Sequence, residues 1–202
     1  NVVESATGKT LFPAYEIKRF NGIPVAFIGM TLQGTPGIVT PAGVAGLSFK
    51  AEAETVNALV PELQKQGVEA IVVVVHEGGL QSGFYNECKG IAGPLVDIVN
   101  KLDKAVDLVI SGHTHQAYNC NINGKLVTSA GQYGTLLSEI DLKLSPVSRD
   151  VIEAKAANLI VKTDVAKDAK QTSLIDKFVA LVSPLENRVV GSASAVLSRS
   201  NN

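Results

Sequence analysis

The sequence has no marked excess of charge of either sign. Lys and Arg total 18 against 19 for Asp and Glu, which gives a formal net charge of -1. Proteins that bind the nucleic-acid backbone normally carry a basic surplus, so this balance argues against a nucleic-acid polymer as partner. No apolar stretch approaches the roughly 20 residues that span a bilayer, which argues against a membrane-spanning helix. Internal repeats and low-complexity tracts are also lacking.

Cysteine is scarce, and the two present are Cys88 and Cys120. Each follows closely on an asparagine, Asn86 or Asn119. The spacing is not of the CxxC type, which disfavours metal binding by the thiols. Loops that leave the same end of a sheet could join the two as a disulfide, which would indicate an oxidising compartment. Two free thiols in the core fit the sequence equally well.

Apolar residues, by contrast, are plentiful at 46%, enough for one α/β domain with a substantial core. Hydrophobic periodicity predicts strands over residues 15–18, 23–30, 68–75, 106–110, 118–122, 125–129, 135–144 and 151–162. It predicts helices over residues 51–66, 93–102 and 168–181. The dipeptides Asn21-Gly22 and Asn123-Gly124 predict two-residue hairpin turns.

Proline and glycine predict where these elements are interrupted. Residues 31–50 are rich in Gly, Pro and Thr and are expected to form a long loop. Pro61 lies inside a predicted helix and is expected to kink or break it, while Pro184 is expected to close the last helix. Residues 189–202 have the character of a linker that is cut short.

Histidine is the most informative of the scarce residues, with three in 202 positions. His76 follows one predicted buried strand, and His113 and His115 follow the next. Sites in open α/β sheets lie beyond the carboxyl ends of the strands, so the three imidazoles are expected to converge. In an extended loop, His113 and His115 would point the same way because side chains repeat with period two. Three imidazoles can hold a metal ion and leave one position open for water.

Five neighbouring residues are candidates for supporting roles. Glu77 could orient a metal ligand through a hydrogen bond, although a solvated loop carboxylate is the favoured interpretation. Gly78 and Gly79 could allow close approach of the backbone to the metal site, or simply form a turn. Gln132 and Tyr133 could line the rim of the site, or pack within a hairpin loop.

The motifs His76-Glu77-Gly78-Gly79, residues 107–116 and Gly131-Gln132-Tyr133-Gly134 together resemble the second half of a calcineurin-like metallophosphoesterase domain. More narrowly, they resemble bacterial 5′-nucleotidases and 2′,3′-cyclic-nucleotide phosphodiesterases. Residues 31–36 and the cysteine pair fit that group too, and the resemblance runs over nearly the whole chain. It implies an α/β fold that forms part of a four-layer α-β-β-α sandwich with mixed sheets, followed by a C-terminal linker helix.

The resemblance also implies a site for two divalent metal ions, such as Zn, Mn or Fe. His76 and His113 would bind one ion and His115 the other. The motifs that supply the bridging Asp, an Asn ligand and the catalytic His in this family have no counterpart here, so we expect an incomplete site without a catalytic residue. Residues 1–163 would be the C-terminal half of the catalytic domain. Residues 164–202 would be the linker helix and the start of the connection to a nucleotide-binding domain.

The implied function is hydrolysis of 5′-nucleotides or 2′,3′-cyclic nucleotides in the periplasm, in the cell wall or outside a bacterial cell. We expect the isolated chain to be inactive, with an N-terminal half-domain and a C-terminal domain of the same protein as its partners. Two other functions fit the residues. One is a self-contained single-metal hydrolase that uses all three histidines, and the other is a non-catalytic nucleotide-binding or interaction module.

Overall fold

The computed structural model describes residues 1–196. The chain divides into two units, Asn1–Val161 and Lys162–Asn202. Residues 197–202, which end the predicted linker, lie outside the described residues, while residues 189–196 form neither helix nor strand. The division falls close to residue 163, where the sequence predicts the end of the catalytic half-domain.

The first unit is built on strands, with two α-helices and two short 3₁₀ turns. The strands are β1 (Val2–Glu4), β2 (Glu16–Phe20), β3 (Ile23–Met30), β4 (Leu47–Phe49), β5 (Ala70–Val75), β6 (Leu108–Ile110), β7 (Ala117–Ile122), β8 (Lys125–Ala130), β9 (Leu136–Leu144) and β10 (Val151–Ile160). The α-helices are α1 (Glu52–Lys65) and α2 (Pro94–Lys101). The 3₁₀ turns are Thr35–Gly37 and Pro41–Val44.

Six of the strands form one mixed sheet in the order β2-β3-β5-β6-β8-β7. The four inner strands run parallel, and an antiparallel hairpin closes each edge. Both hairpin turns have positive φ at their Asn and Gly, as a type I′ turn requires. Asn21 has φ 50° and Gly22 φ 84°, and Asn123 and Gly124 have φ 50° and 80°. The two Asn-Gly predictions are therefore confirmed.

One face of the six-stranded sheet is covered by helices, and the other is covered in part by a pair of strands. On one face, α1 and α2 bury an apolar stripe against the parallel strands, consisting of Val56, Val60, Leu63, Leu95 and Val99. On the other face, β9 and β10 form a separate antiparallel pair that contributes Ile140, Leu142, Leu144 and Val151. The described residues thus supply three layers in the order α-β-β. This arrangement confirms the predicted α/β class with mixed sheets.

Two local predictions in this unit are wrong. Residues 31–50 are not one structureless loop, because they contain both 3₁₀ turns and strand β4, which pairs with β1. Of the kink or break predicted at Pro61, the break is wrong, since α1 continues to Lys65 and buries Val60 and Leu63 on either side of the proline. Core packing of this kind outweighs the loss of one helical hydrogen bond.

The second unit contains helix α3 (Ala169–Glu186). The predicted start is confirmed, since Asp168 caps the helix by accepting a hydrogen bond from the Gln171 N–H at 2.8 Å. Pro184 lies inside the final turn and does not close the helix as predicted. Several apolar side chains of α3 are more than half exposed within the described structure, among them Ile175, Phe178, Leu181 and Leu185. No helix in residues 1–196 combines the length and apolarity that a membrane crossing demands.

Candidate metal centre

The histidines stand where two neighbouring parallel strands end. His76 follows the last residue of β5, and its N–H donates to the Met30 carbonyl at 2.9 Å, which fixes the backbone at the strand end. Strand β6 ends at Ile110, which lies opposite Val74 of β5 in the ladder. The chain then passes through Ser111 and Gly112 to His113. The carboxyl edge of the sheet thus brings together two segments far apart in sequence.

Two of the three imidazoles meet at this edge. Nδ1 of His113 lies 3.2 Å from Nε2 of His76, and the ring centroids are 5.0 Å apart with the planes inclined at 67°. Two adjacent nitrogens that bind one cation at 2.0–2.1 Å in tetrahedral or octahedral geometry lie about 2.8–3.4 Å apart. The observed separation therefore fits two ligands of a single divalent ion.

His115 lies apart from this pair. His113 and His115 have φ of 65° and 58°, so their loop is left-handed and lacks the extended backbone on which the predicted common direction of the two side chains was based. The His115 ring instead lies 6.0 Å from the ring of Tyr133, at an angle of 54°. Nowhere in residues 1–196 do three His, Cys, Asp or Glu side chains converge as a metal-ion site.

The two histidine-bearing loops are in direct backbone contact. The Gly112 N–H donates to the Glu77 carbonyl at 3.1 Å, and Thr114 Oγ1 donates to the Gly79 carbonyl at 2.8 Å. A Cβ on Gly78 would overlap the Gly112 carbonyl oxygen, closer than atoms can approach. Gly78 is therefore needed for the contact between the loops, which explains the motif better than a simple turn does.

Gly79 and Glu77 are also enclosed. A Cβ on Gly79 would lie 2.7 Å from Cδ1 of Ile91, so this glycine too permits a close approach. Glu77 is 7% exposed, and its Oε1 accepts the Gly78 N–H at 2.9 Å. The expectation of a solvated loop carboxylate is wrong, since Glu77 is buried, and its backbone carbonyl accepts the Gly112 N–H of the second loop.

Tyr118 is a positioning residue that the sequence analysis missed. Its side chain is fully buried, and its hydroxyl accepts the Gly79 N–H at 3.1 Å. The same hydroxyl shares a hydrogen bond of 2.8 Å with Ser111 Oγ, so that one phenol ties both loops to β7. The sequence offers only strand alternation as a signal, and alternation places the ring in the core without revealing this role.

Gln132 and Tyr133 lie on an exposed loop after β8. Tyr133 is 87% exposed and has φ 58°, so it is not packed within the loop. The Gln132 carbonyl accepts the Thr135 N–H at 3.2 Å, while its side chain faces solvent. The proximity of Tyr133 to His115 agrees with a position at the rim.

Cys88 and Cys120 are joined by a disulfide, which confirms one of the two interpretations of the pair and excludes free thiols. The asparagines beside them form a hydrogen-bonded network. Asn86 Oδ1 accepts from Asn119 Nδ2 and from the Asn158 N–H, each at 2.6 Å. This network and the disulfide fasten the loop after His76 to both β-layers.

Comparison with curated proteins finds relatives that share this chain's sequence. Endonuclease YhcR of Bacillus subtilis is 33% identical over 195 residues, which is 96% of this chain and 16% of the relative. A 5′-nucleotidase of Vibrio cholerae is 31% identical over 57% of the chain and 21% of its own length. A 2′,3′-cyclic-nucleotide 2′-phosphodiesterase/3′-nucleotidase of Salmonella typhimurium is 26% identical over 77% of the chain and 27% of its own length. The chain thus spans about a quarter or less of these relatives.

Solved structures show the same fold. The 5′-nucleotidase precursor of Thermus thermophilus superposes with a TM-score of 0.73 at 21% identity, over 94% of this chain and 38% of that one. The calcineurin-like phosphoesterase YfkN of Bacillus subtilis gives a TM-score of 0.71 at 20% identity, over 93% of this chain and 63% of that one. No family model matches the sequence.

The chain therefore has the fold of the calcineurin-like metallophosphoesterases. Its relatives in sequence include bacterial 5′-nucleotidases and a 2′,3′-cyclic-nucleotide phosphodiesterase, the group that the sequence motifs resemble.

Proposed function

We propose that this chain forms part of the catalytic domain of a metal-dependent phosphoesterase that hydrolyses 5′-nucleotides, 2′,3′-cyclic nucleotides or both. The observation that carries the proposal is the approach of His76 and His113 to 3.2 Å at the ends of adjacent parallel strands. The names of the relatives support nucleotide phosphoesters as the substrate class.

In this proposal, His76 and His113 hold one divalent ion and His115 belongs to the position of a second. Two such ions lower the pKa of water and stabilise the charge of a phosphoryl group during in-line displacement. The chain's own contribution is positional. Glu77, Gly78 and Tyr118 fix the loops that present the imidazoles, while Gln132 and Tyr133 border the space where a substrate would approach.

The proposal includes the inactivity of the chain by itself. A pair of imidazoles offers no bridging carboxylate, and the described residues bring no third ligand to the pair. One face of the sheet also leaves apolar residues exposed. Val74, in the central strand β5, is 43% exposed, and beside it a largely apolar cavity of about 410 Å³ opens between the sheet and β9. In this proposal, the missing ligands come from a further segment of the protein that packs on this face.

The disulfide supports a location in an oxidising compartment such as the bacterial periplasm, the cell wall or the medium. Proteins of the bacterial cytosol rarely keep such bonds.

Metal binding by the chain tests the assignment of the ligands. Titration of Mn²⁺ or Zn²⁺ followed by calorimetry is expected to show weak binding that His76→Ala or His113→Ala removes and His115→Ala retains. Loss of the same binding event in His115→Ala would indicate a single site built from all three histidines. Absence of binding in the unsubstituted chain would favour the non-catalytic module.

An activity assay tests whether the isolated chain is inactive, and the neighbouring gene sequence tests the phosphoesterase assignment. With Mn²⁺ present, the chain is expected to leave p-nitrophenyl phosphate, AMP and 2′,3′-cyclic AMP unhydrolysed. Robust turnover that His113→Ala abolishes would refute the inactivity of the isolated chain. Motifs of the type Asp-x-His and Gly-Asn-His-Asp/Glu are expected directly upstream in the gene, and their absence would contradict the phosphoesterase assignment.

A further inference from the structure

A polar cavity lies at the amino end of the inner strands, at the opposite end of the sheet from the histidines. Its volume is about 380 Å³, and it lies between the start of β8, the turn before it and the start of β10. The polar side chains that line it are Lys104, Asp107, Asn121, Asn123, Lys125 and Glu153. A cavity of this size accommodates a small organic molecule or an inorganic ion with its water.

Lys125 is the unusual member of this lining. It is 4% exposed, and it has neither a hydrogen bond nor an ion pair with any side chain or carbonyl in residues 1–196. The described residues contain no fully enclosed side-chain nitrogen or oxygen that lacks a partner, so the Lys125 ammonium keeps a small area in contact with solvent, and Lys125 is among the residues that line the cavity. Burial of an ammonium group without a counter-charge is costly, and an anion in the cavity would relieve that cost.

The carboxylates of the cavity do not supply the missing counter-charge in full. Burial raises the pKa of Asp107 to about 7, although the Ile71 N–H that its Oδ2 accepts at 2.8 Å acts in the opposite direction. Asp107 is therefore only partly ionised at neutral pH. Glu153 is paired with Lys155 at the surface. Within the lining, Lys104 and Lys125 thus face one carboxyl that is partly ionised, Asp107, and one carboxylate that is already paired, Glu153. The charges of Lys125 and Asp150 also act on Asp107, lowering and raising its pKa respectively.

The amides of the turn add hydrogen-bond donors beside this charge. Asn121 uses its Oδ1 to accept the Gly124 N–H at 3.1 Å, which turns the NH₂ group away from the turn backbone. Neither this NH₂ group nor that of Asn123 has an acceptor among residues 1–196. An ammonium and amide donors around one cavity are the groups that recognise an oxyanion.

We propose that this cavity is an oxyanion-binding site, in which Lys125 Nζ and the amides of Asn121 and Asn123 bind the phosphate or carboxylate group of a small ligand. The site is separate from the candidate metal centre and independent of the proposed phosphoesterase function.

Titration of inorganic phosphate and, in parallel, of acetate into the metal-free chain tests the proposal, with amide chemical shifts as the readout. Saturable shifts are expected around Gly124 and Leu126 with at least one of the two anions. Lys125→Met keeps the aliphatic stem and is expected to weaken binding by at least about tenfold. Lys125→Arg keeps the charge and is expected to retain binding, which separates loss of the ammonium from loss of the fold.

Two matched controls locate the effect. Lys65→Met removes an exposed lysine of α1, and His113→Ala removes an imidazole at the opposite end of the sheet. Both variants are expected to bind the anion as the unsubstituted chain does. Unchanged affinity in Lys125→Met, shifts confined to the histidine loops, or no saturable shift with either anion would each overturn the proposal.

Discussion

Replacement of Tyr118 by Phe tests whether one hydroxyl holds the two histidine loops together. The ring is fully buried, and the substitution removes only the oxygen that accepts the Gly79 N–H at 3.1 Å and contacts Ser111 Oγ at 2.8 Å. Packing of the ring is conserved, so any effect reports on the hydrogen bonds.

The expected loss of stability depends on which hydrogen bonds Ser111 and Gly79 retain in Tyr118→Phe. Ser111 Oγ still donates to the Thr128 carbonyl at 2.9 Å, so losing its bond to the Tyr118 hydroxyl costs little stability. The Gly79 N–H, in contrast, is buried and loses its acceptor. A buried donor left without an acceptor costs about 1–3 kcal/mol, so we expect Tyr118→Phe to lower the free energy of unfolding by about that amount.

Urea denaturation measures this change, and hydrogen exchange at the Gly79 amide shows where it occurs. Tyr15→Phe is the matched control, because the Tyr15 hydroxyl bonds to Glu62 at a partly exposed position where water can replace it. If Tyr118→Phe unfolds at the same urea concentration as Tyr15→Phe and Gly79 exchanges no faster, the hydroxyl does not hold the loops and the reasoning fails.

Further predictions concern the glycine contact, the disulfide and the buried acid. Gly78→Ala is expected to destabilise the chain by about 1–3 kcal/mol in thermal unfolding. The control is Gly112→Ala, whose Cβ would meet nothing within 4 Å and which should therefore be close to neutral. Equal effects of the two substitutions would contradict the contact between the loops. Reduction of Cys88–Cys120, 32 residues apart, should cost about 3–4 kcal/mol, and an unchanged melting temperature in reductant would argue against that role. The raised pKa of Asp107 stabilises the fold below about pH 4, and this stabilisation is lost as pH rises through about 7. At 1.36 kcal/mol per pKa unit and after allowance for partial exposure, the loss in the free energy of unfolding is about 1–2 kcal/mol. If the free energy of unfolding of Asp107→Asn depends on pH as that of the unsubstituted chain does, this prediction is wrong.

Elements with a strong local signal could be predicted from the sequence. The Asn-Gly turns at 21–22 and 123–124 and the β-branched run that ends at Val75 each have one favourable local conformation, and the structure contains all three. The position of His76 at a sheet edge follows directly, because a strand that ends there must present the next residue at its carboxyl end.

The details of the site depend on contacts between distant residues, which leave no local signal. The left-handed conformation of His113 accompanies a backbone bond from Gly112 to Glu77, 35 positions earlier in the chain. Glu77 has the character of a solvated loop residue, yet it is buried in the folded chain, where its carbonyl accepts the Gly112 N–H of the second loop. Helix α1 likewise tolerates Pro61 for a tertiary reason, the burial of Val60 and Leu63.

Three of the six non-glycine residues with positive φ in the described structure lie in the loops of the candidate site, namely His113, His115 and Tyr133. An L-residue in this conformation costs about 1–2 kcal/mol, and glycine does not pay that cost. A library selected for thermal stability alone should therefore accumulate glycine or asparagine at these three positions. Selection for stability would therefore replace residues of the candidate site early. Those of the three that are retained under selection for activity would be identified as the residues that function requires.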